Sequence, residues 1–346
     1  MPPGRSRRAS TVSSEFGLIR RLQAQTAQPD PQVFKGIGDD TAIIKTSSTE
    51  WTLITTDLLA QGVHFNPAFS SYRDIGYRAA IANLSDIAAM GGTPRFMLVS
   101  IAIPPACEMT QIQQLYRGMM QAGAPYRVRL IGGDTSASQA GLFLNITLTG
   151  VVKPRQALLR SGAAEGDRLY VTGTLGDSRA GLDLLTSRRR VALRPAHTRF
   201  LLARHHRPSA RIAEGLWLVA NGLAGAAIDL SDGLTGDLRH ICEDSAVGAE
   251  IDAGSLPISP ACRAYAAARG LPPEHIALQG GEDYELLFTV PRRQQARFER
   301  LADKSGFRMT CIGSMTPKAA GLRLKTIDGS RQPLPLTSYE HFCRPT

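Results

Sequence analysis

The sequence contains few cysteines, and their spacing is not that of a metal site or a disulfide framework. Five cysteines occur among the 346 residues, and no two of them form a C-x-x-C pair. Zinc sites and disulfide scaffolds need clustered or regularly spaced cysteines, so neither is expected here. Scattered cysteines are typical of proteins from a reducing compartment, and we therefore expect a cytoplasmic location.

Several common functional signatures are also absent. There is no run of about 18 apolar residues, so we expect no membrane span. The phosphate-binding pattern G-x-x-x-x-G-K-[ST] and the set of protein-kinase motifs do not occur. Gly36 and Gly38 resemble the start of a dinucleotide fingerprint, but Thr41 stands at the third glycine position. If the protein binds ATP, metal-carrying carboxylates and the amides of glycine turns must hold the nucleotide.

Acidic residues are outnumbered by basic ones, with 30 Asp and Glu against 40 Lys and Arg and a net charge of +10. Much of the excess lies in residues 1–10, 187–190 and 203–211. None of these stretches has the interleaved aromatic residues on which single-stranded nucleic acids stack. We interpret them as solvated basic faces without a specific nucleic-acid partner. A basic nucleic-acid-binding protein remains the alternative from a different functional class.

Predicted strands and helices alternate along the chain, which favours an α/β fold with mixed sheets. Helical spacing begins at residue 15 in EFGLIRRLQAQ and at residue 71 in SYRDIGYRAAIANLSDIAAM, where Gly91-Gly92 supplies the stop signal. A polar connection after residue 152 separates two halves of similar pattern. We predict an N-terminal domain over residues 15–152 and a C-terminal domain over residues 153–346. Residues 1–14 are expected to form a disordered basic leader.

Carboxylates recur where predicted strands end in Gly, Ser or Thr. Any one of them is compatible with ordinary turn chemistry, since an Asp side chain caps nearby N–H groups, and Asp39 is expected to do so. Asp86 differs, because it lies within the second predicted helix. Strand ends tend to meet at one edge of a sheet, where adjacent carboxylates repel unless cations neutralise them. Oxygen ligands without clustered Cys or His favour magnesium or manganese and a polyphosphate guest. The strand-end acids are Asp40, Asp57, Asp134, Asp229, Asp232, Glu282 and Asp283.

Ordered sequence blocks from about residue 15 to residue 342 resemble one enzyme family. They include GIGDDTAII, TTDLLAQGVHF, NLSDIAAMGG, LIGGDT, LLRSGA, AIDLSDGL, GGEDYELLF and the terminal YEHF. Single blocks such as GGD are common, but their order along nearly the whole chain is specific. By these blocks the chain resembles the thiamine-monophosphate kinases, within the superfamily that includes aminoimidazole ribonucleotide synthetase.

The resemblance implies the two-domain fold of that superfamily, with the N-terminal domains pairing in a homodimer. It implies an enzyme that transfers the γ-phosphate of ATP directly and in line to thiamine monophosphate, forming thiamine diphosphate. Several Mg²⁺ ions would assist, Mn²⁺ could substitute for them, and no side chain would act as a covalent nucleophile.

The same resemblance assigns roles to individual residues, with Asp57, Asp86 and Asp134 the most critical. The implied metal ligands are Asp40, Thr55, Thr56, Asp57, Asp86, Asp134, Asp229 and Asp232. The implied ATP contacts are Tyr116, Gly133, Asp134, Arg160 and Ser231. The implied contacts to thiamine or its phosphate are His64, Glu282 and Tyr339. One departure is GGDTSASQAG, which lacks the arginine that often follows GGDT in the family, so one phosphate contact is expected to be missing.

Another ATP-dependent enzyme of the same superfamily is the nearest alternative. Selenophosphate synthetase would need a reactive Cys or selenocysteine near the N-terminus, and residues 1–40 contain no Cys. The hydrogenase-maturation member modifies a C-terminal cysteine, whereas Cys343 stands three residues before the end. Replacing Cys343 by Ser distinguishes this alternative, since a thiamine-monophosphate kinase should keep its turnover.

Overall fold

The computed structural model describes residues 15–26, 28–335 and 339 of the chain. The basic leader over residues 1–14, most of the YEHF block and Cys343 lie outside the described residues. The helices in the described part of the chain lack the combination of length and apolarity that a membrane span requires.

The first half of the chain forms a six-stranded mixed sheet. Its elements are α1 (Glu15–Thr26), β1 (Val33–Lys35), β2 (Ala42–Ile44), β3 (Trp51–Ala60), α2 (Tyr72–Ala89), β4 (Thr93–Ile103), α3 (Met109–Gly123), a 3-10 helix (Ala124–Tyr126), β5 (Arg129–Ala137) and β6 (Phe143–Val152). The strand order is β1-β2-β3-β6-β4-β5, and of these pairs only β4–β5 is parallel. Helices α2 and α3 lie on one face of this sheet, and the side chains of the other face are largely exposed.

The second half forms a seven-stranded mixed sheet. Its elements are β7 (Arg168–Thr172), α4 (Asp177–Thr186), α5 (Pro195–His206), α6 (Ile212–Asn221), β8 (Ala227–Asp229), α7 (Leu234–Ser245), β9 (Gly248–Asp252), α8 (Pro260–Arg269), α9 (Pro273–Gln279), β10 (Leu286–Val290), α10 (Gln295–Ser305), β11 (Met309–Thr316), β12 (Leu322–Lys325) and β13 (Arg331–Pro333). Three 3-10 helices lie at Ala253–Ser255, Arg292–Gln294 and Lys318–Ala320. The strand order is β13-β12-β9-β11-β7-β10-β8. The mixed sheets agree with the expected fold class.

Helix α2 is the structural centre of the molecule. Its start is fixed by Ser71, whose Oγ accepts a hydrogen bond from the backbone N–H of Asp74 at 3.1 Å. Its end is followed by Gly91, whose φ of 64° suits glycine. The helix contacts β3, β6 and α3 of the first half, and β8, α5 and α6 of the second. Most of its side chains are therefore buried, and any polar group on it must find a partner inside the protein.

The prediction that the acids mark strand ends is wrong at four positions. Glu282 and Asp283 lie between α9 and β10, so they precede a strand, and the other two acids lie within strands. Strand β3 continues through Asp57 to Ala60, and β5 continues through Asp134 to Ala137. In β3 the residues after Asp57 keep the period-two alternation, because Leu58 points outward and Leu59 is buried. In β5 the parallel pairing with β4 extends past Asp134 as far as Ala137, so the strand is held beyond the glycines.

Two glycines allow α2 and α3 to pack backbone against backbone. A Cβ added to Gly118 would lie 1.9 Å from the carbonyl oxygen of Arg73, and one added to Gly76 would lie 2.0 Å from that of Leu115. We expect Gly118→Ala to lower the free energy of unfolding by about 3 kcal/mol or more, because the helices must separate. Chemical denaturation measures this change. Gly36→Ala is the matched control, since its Cβ would meet nothing nearer than 3.9 Å. Equal stability of the two variants would contradict the packing described here.

Candidate active site

Three aspartates from distant parts of the chain form a compact carboxylate cluster. Asp40 comes from the turn between β1 and β2, Asp86 from α2, and Asp229 from the end of β8. Each offers one carboxylate oxygen, and these oxygens lie within 4.8 Å of one another. Asp86 and Asp229 meet because α2 packs against β8. Side chains of both halves therefore build the cluster.

Strand β3 adds two more predicted residues to this site. Alternation places Thr55 and Asp57 on the face that α2 covers, because their cross-strand partners Leu148 and Ile146 are both buried. The hydroxyl of Thr55 donates a hydrogen bond to Oδ2 of Asp86. Asp57 interacts electrostatically with Asp86, whose pKa it raises.

The loop after β8 supplies Asp232, and two further groups that the sequence analysis missed come from α7 and α2. Asp237, in the first turn of α7, is 2% exposed, and its Oδ2 accepts a hydrogen bond from the backbone N–H of Gly233 at 3.1 Å. Ser85 donates a hydrogen bond to Oδ2 of Asp229 at 2.6 Å. The blocks DGLTGD and NLSD contain both residues, but only the fold shows that Ser85 faces Asp229.

Burial raises the pKa values of the clustered acids, and mutual repulsion adds to it. The pKa of Asp40 is raised to about 7, by burial first and also by the neighbouring carboxylate of Asp229. Burial and nearby acids raise the pKa values of Asp57, Asp229 and Asp232 to about 6. The pKa of Asp86 is raised well above its ordinary value, by burial first and then by Asp57. Full ionisation of this cluster at neutral pH therefore requires a cation.

The donor set fits a hard divalent cation. Oδ2 of Asp40 is buried and has no hydrogen-bond partner among the described residues. An orphaned carboxylate oxygen beside two other carboxylates is costly in a protein interior unless a cation or water binds it. All three donors of the cluster are oxygens, which magnesium, manganese and calcium prefer over nitrogen or sulfur ligands.

Arg160 and the turn before β2 close one side of the cluster. The Nε of Arg160 donates to Oδ1 of Asp40 at 3.0 Å, and its backbone N–H donates to Oδ1 of Asp39 at 3.2 Å. Asp39 also forms a salt bridge with Lys35 at 3.3 Å. Asp39 is thus occupied by Lys35 and by the backbone of Arg160, and Asp40 is the acid that faces the cluster. The expected turn-capping role of Asp39 stays a prediction.

Two of the three predicted thiamine contacts, Glu282 and Tyr339, lie beside Asp232. The backbone N–H of Glu282 donates to the carbonyl oxygen of Ser231 at 2.7 Å, and that of Tyr339 donates to the carbonyl oxygen of Asp232 at 3.3 Å. His64 is half-buried after β3, and its Nδ1 accepts a hydrogen bond from the backbone N–H of Ala60 at 3.0 Å. These residues come from both halves of the chain, and Glu282 and Tyr339 lie next to the acids of the loop after β8.

Asp134 and Thr56, in contrast, face away from the cluster. Asp134 is paired with Ser100 in β4, on the outer face of the first sheet. The hydroxyl of Thr56 lies on the same face, 3.1 Å from that of Thr147. Gly133 precedes Asp134 with a φ of 153°, and a Cβ there would lie 1.8 Å from the carbonyl oxygen of Val99, so only glycine fits.

Tyr116 is carried by the helix that packs against α2. It lies on α3, half-buried against the core of the first half. Its predicted contact with ATP stays a prediction, as do the roles assigned to the other site residues.

Comparison with known proteins identifies two domain families in the chain. The N-terminal domain of AIR synthase related proteins matches residues 38–152, and the C-terminal domain of the same proteins matches residues 164–325. Together they cover most of the chain and most strands of both sheets, which confirms the expected two-domain fold.

Several proteins that are similar over nearly the full length are named thiamine-monophosphate kinases. The thiamine-monophosphate kinase of Escherichia coli (strain K12) is 40% identical over 334 residues, which are 96% of this chain and 99% of that protein. The structure of AaThiL complexed with AMPPCP and TMP superposes with a TM-score of 0.82 at 34% identity, covering 95% of this chain and 97% of that one. The thiamine-monophosphate kinase of Stenotrophomonas maltophilia K279a gives a TM-score of 0.73 at 36% identity, covering 91% and 97% of the two chains. This chain therefore belongs to the thiamine-monophosphate kinase family.

Proposed function

We propose that this chain transfers the γ-phosphate of ATP to the phosphate of thiamine monophosphate, with thiamine diphosphate and ADP as products. The observation that carries the proposal is the convergence of Asp40, Asp57, Asp86 and Asp229 in one largely buried site. Donor and acceptor phosphates are both negative, so the reaction needs charge neutralisation and alignment more than covalent help. The binding of an ATP analogue and TMP by the similar protein AaThiL supports the same assignment.

The cofactor that we propose is Mg²⁺, held by Asp40, Asp86 and Asp229 with Asp57 and Asp232 beside them, and replaceable by Mn²⁺. When bound, such ions neutralise phosphate charge and bring the two phosphates into line. The hydroxyls of Thr55 and Ser85 orient the carboxylates of Asp86 and Asp229 through their hydrogen bonds.

The remaining residues divide between the two substrates. We propose that Gly133, Asp134, Arg160, Ser231 and Tyr116 contact ATP. The planar guanidinium of Arg160 suits a phosphate, since it can donate two parallel hydrogen bonds.

For thiamine monophosphate we propose contacts from His64, Glu282 and Tyr339. The carboxylate of Glu282 complements the positive charge of the thiazolium ring. We further propose a cytoplasmic location, which the scattered cysteines support.

Incubation of the purified protein with ATP, MgCl₂ and thiamine monophosphate tests the function. We expect equimolar ADP and thiamine diphosphate, and no product when EDTA replaces the cation. Thiamine and unrelated phosphate monoesters serve as control acceptors. Release of ADP without thiamine diphosphate, or preference for another acceptor, would contradict the proposal.

We also propose that a second copy of the chain covers the outer face of the first sheet. This face exposes Ile54, Leu58, Phe96 and Leu98, and Leu58 is 58% exposed. Isolated apolar side chains are common on surfaces, but several on adjacent strands of one sheet indicate an interface. The position of Asp134 on this face places one predicted ATP contact at the proposed interface.

Leu98→Asp tests this homodimer. A carboxylate in the middle of the apolar face should shift the molar mass in solution from about two chains to one. Turnover should fall about tenfold or more, because Asp134 would no longer be covered by the second copy of the chain. Light scattering coupled to size-exclusion chromatography measures the mass. Leu271→Asp is the control, since Leu271 is 45% exposed in the second half of the chain. An unchanged mass for the Leu98 variant would rule out this face as the interface.

A further inference from the structure

Arg78 is a buried arginine in the middle of α2 to which the sequence analysis gave no role. It is only 5% exposed. A guanidinium in a protein interior is strongly unfavourable unless each of its donors finds an acceptor. Its partners therefore show what the residue does.

The partners of Arg78 belong to three separate segments. Its Nη1 lies 2.8 Å from Nε2 of His205 on α5. Its Nη2 donates a hydrogen bond to the backbone carbonyl oxygen of His64 and lies 3.5 Å from Oε1 of Glu282. One side chain of the first half thus joins the two predicted thiamine contacts, His64 and Glu282, which are more than two hundred positions apart in the sequence.

His205 completes this arrangement from the second half. It is 1% exposed, and burial followed by the charge of Arg78 lowers its pKa to about 3, so it is neutral at physiological pH. A guanidinium can only donate, so Nε2 of His205 must accept and its proton must lie on Nδ1. Nδ1 faces Oγ of Ser178 at 3.2 Å and Oε2 of Glu282 at 3.8 Å. Oε1 of Glu282 therefore lies against Arg78, and its Oε2 lies near the neutral imidazole of His205, which makes its hydrogen bond with Ser178.

The backbone at Glu282 needs such support. Glu282 has a φ of 62° and Tyr284 a φ of 53°, which are unfavourable for residues with a side chain. Between them Asp283 is anchored by the backbone N–H groups of Gly176 and Ser178. The loop is thus fixed at Asp283, while the carboxylate of Glu282 is directed by its ion pair with Arg78, which His205 orients through Nε2.

We propose that Arg78 is a positioning residue that sets the distance between His64 and Glu282, and with it the site for the thiamine part of the acceptor. This inference rests on the proposed function. The fork of the guanidinium serves a carbonyl, a carboxylate and an imidazole at once, which the single ammonium of lysine cannot do in the same geometry. Arg78 itself need not touch either substrate.

Steady-state kinetics of Arg78→Lys and Arg78→Met test the proposal. We expect the KM for thiamine monophosphate to rise roughly fivefold in the lysine variant and roughly twentyfold or more in the methionine variant. The KM for ATP should stay within about twofold of the wild type in both variants, because the partners of Arg78, which are His64, His205 and Glu282, do not belong to the carboxylate cluster. A purely structural role would lower the folded fraction, and hence kcat, without this difference between the substrates. The melting temperature of each variant is measured in parallel.

Arg331→Met is the matched control, since Arg331 forms a salt bridge with Glu250 at 2.7 Å on the surface and is 60% exposed. If the methionine variant fails to fold, the lysine variant tests the positioning role instead, because it keeps the buried positive charge. A KM for thiamine monophosphate that is unchanged, or that rises in step with the KM for ATP, overturns the positioning role. Wild-type protein without activity on thiamine monophosphate would instead contradict the proposed function, so the two failures are distinguishable.

Discussion

Asp86→Asn is expected to abolish phosphate transfer, with turnover reduced by roughly a thousandfold or more. Asp86 belongs to the cluster with Asp40 and Asp229, and it accepts the hydrogen bond of Thr55. Asparagine keeps the size of the side chain but removes one negative charge and one of the two acceptor oxygens. A hard cation at this position then loses a ligand that an amide replaces only poorly. The rate of thiamine diphosphate formation with saturating ATP and MgCl₂ measures the loss.

The same variant should be more stable than the wild type when no metal is present. Burial raises the pKa of Asp86 well above its ordinary value, and so does repulsion from the other carboxylates of the cluster. Removing one of these charges relieves the repulsion, so the melting temperature in EDTA should rise while activity is lost. Asp303→Asn on the exposed surface of α10 is the control and should change neither property. An active Asp86→Asn protein, or one that melts at a lower temperature in EDTA, would contradict the electrostatic interpretation of the cluster.

The stability of the metal-free protein is expected to fall as the pH rises. The pKa of Asp40 is raised from 3.8 to about 7, and the pKa values of Asp57, Asp229 and Asp232 are raised from 3.8 to about 6. Between pH 3.8 and about pH 7, the folded protein keeps protons on these carboxylates that the unfolded chain has released. Stability therefore decreases as the pH rises through this window and stays low above it. We expect the melting temperature in EDTA to drop by about 5 °C or more between pH 5 and pH 8.

Three histidines act in the opposite direction at the acidic end. The pKa values of His205 and His240 are lowered to about 3, and that of His206 is lowered too, in each case by burial first. Their contribution to stability is lost as the pH falls below their unfolded value of 6.5. Above pH 6.5 the histidines become neutral in the unfolded chain as well and their effect fades, so the further fall in stability towards pH 8 reports mainly the acids with the highest pKa values, such as Asp40.

Added Mg²⁺ should change this dependence, because it binds the ionised carboxylates and so stabilises the protein more at pH 8 than at pH 5. Differential scanning fluorimetry with EDTA and with MgCl₂ measures both curves. A metal-free melting temperature that rises between pH 6.5 and pH 8 would contradict the account.

Local sequence signals predicted the elements that carry the acids better than they predicted strand boundaries. Ser71 and Gly91-Gly92 gave the limits of α2, because caps act within one turn of the helix. The turn at Asp39 and Asp40 was also expected. Asp57 was misplaced at a strand end because an acid after two threonines was interpreted as a boundary, although the alternation continues through it.

Contacts between distant segments were beyond prediction from the residues alone. The hydrogen bond from Ser85 to Asp229 joins positions 144 apart, and the one between Arg78 and His205 joins positions 127 apart. Neither pair has a local spacing that indicates its partner, because packing of α2 between the two halves creates both. The outward direction of Asp134 likewise depends on the register between β4 and β5.

Anomalous diffraction from crystals of the full chain grown with MnCl₂ and a non-hydrolysable ATP analogue tests the central claim most directly. We expect manganese peaks about 2.1 Å from carboxylate oxygens of Asp40, Asp86 and Asp229, with phosphate oxygens of the nucleotide on the same ions. A nucleotide bound elsewhere, with these carboxylates free of metal, would contradict the claim that the acids gathered around α2 hold the cations of a phosphate-transfer site.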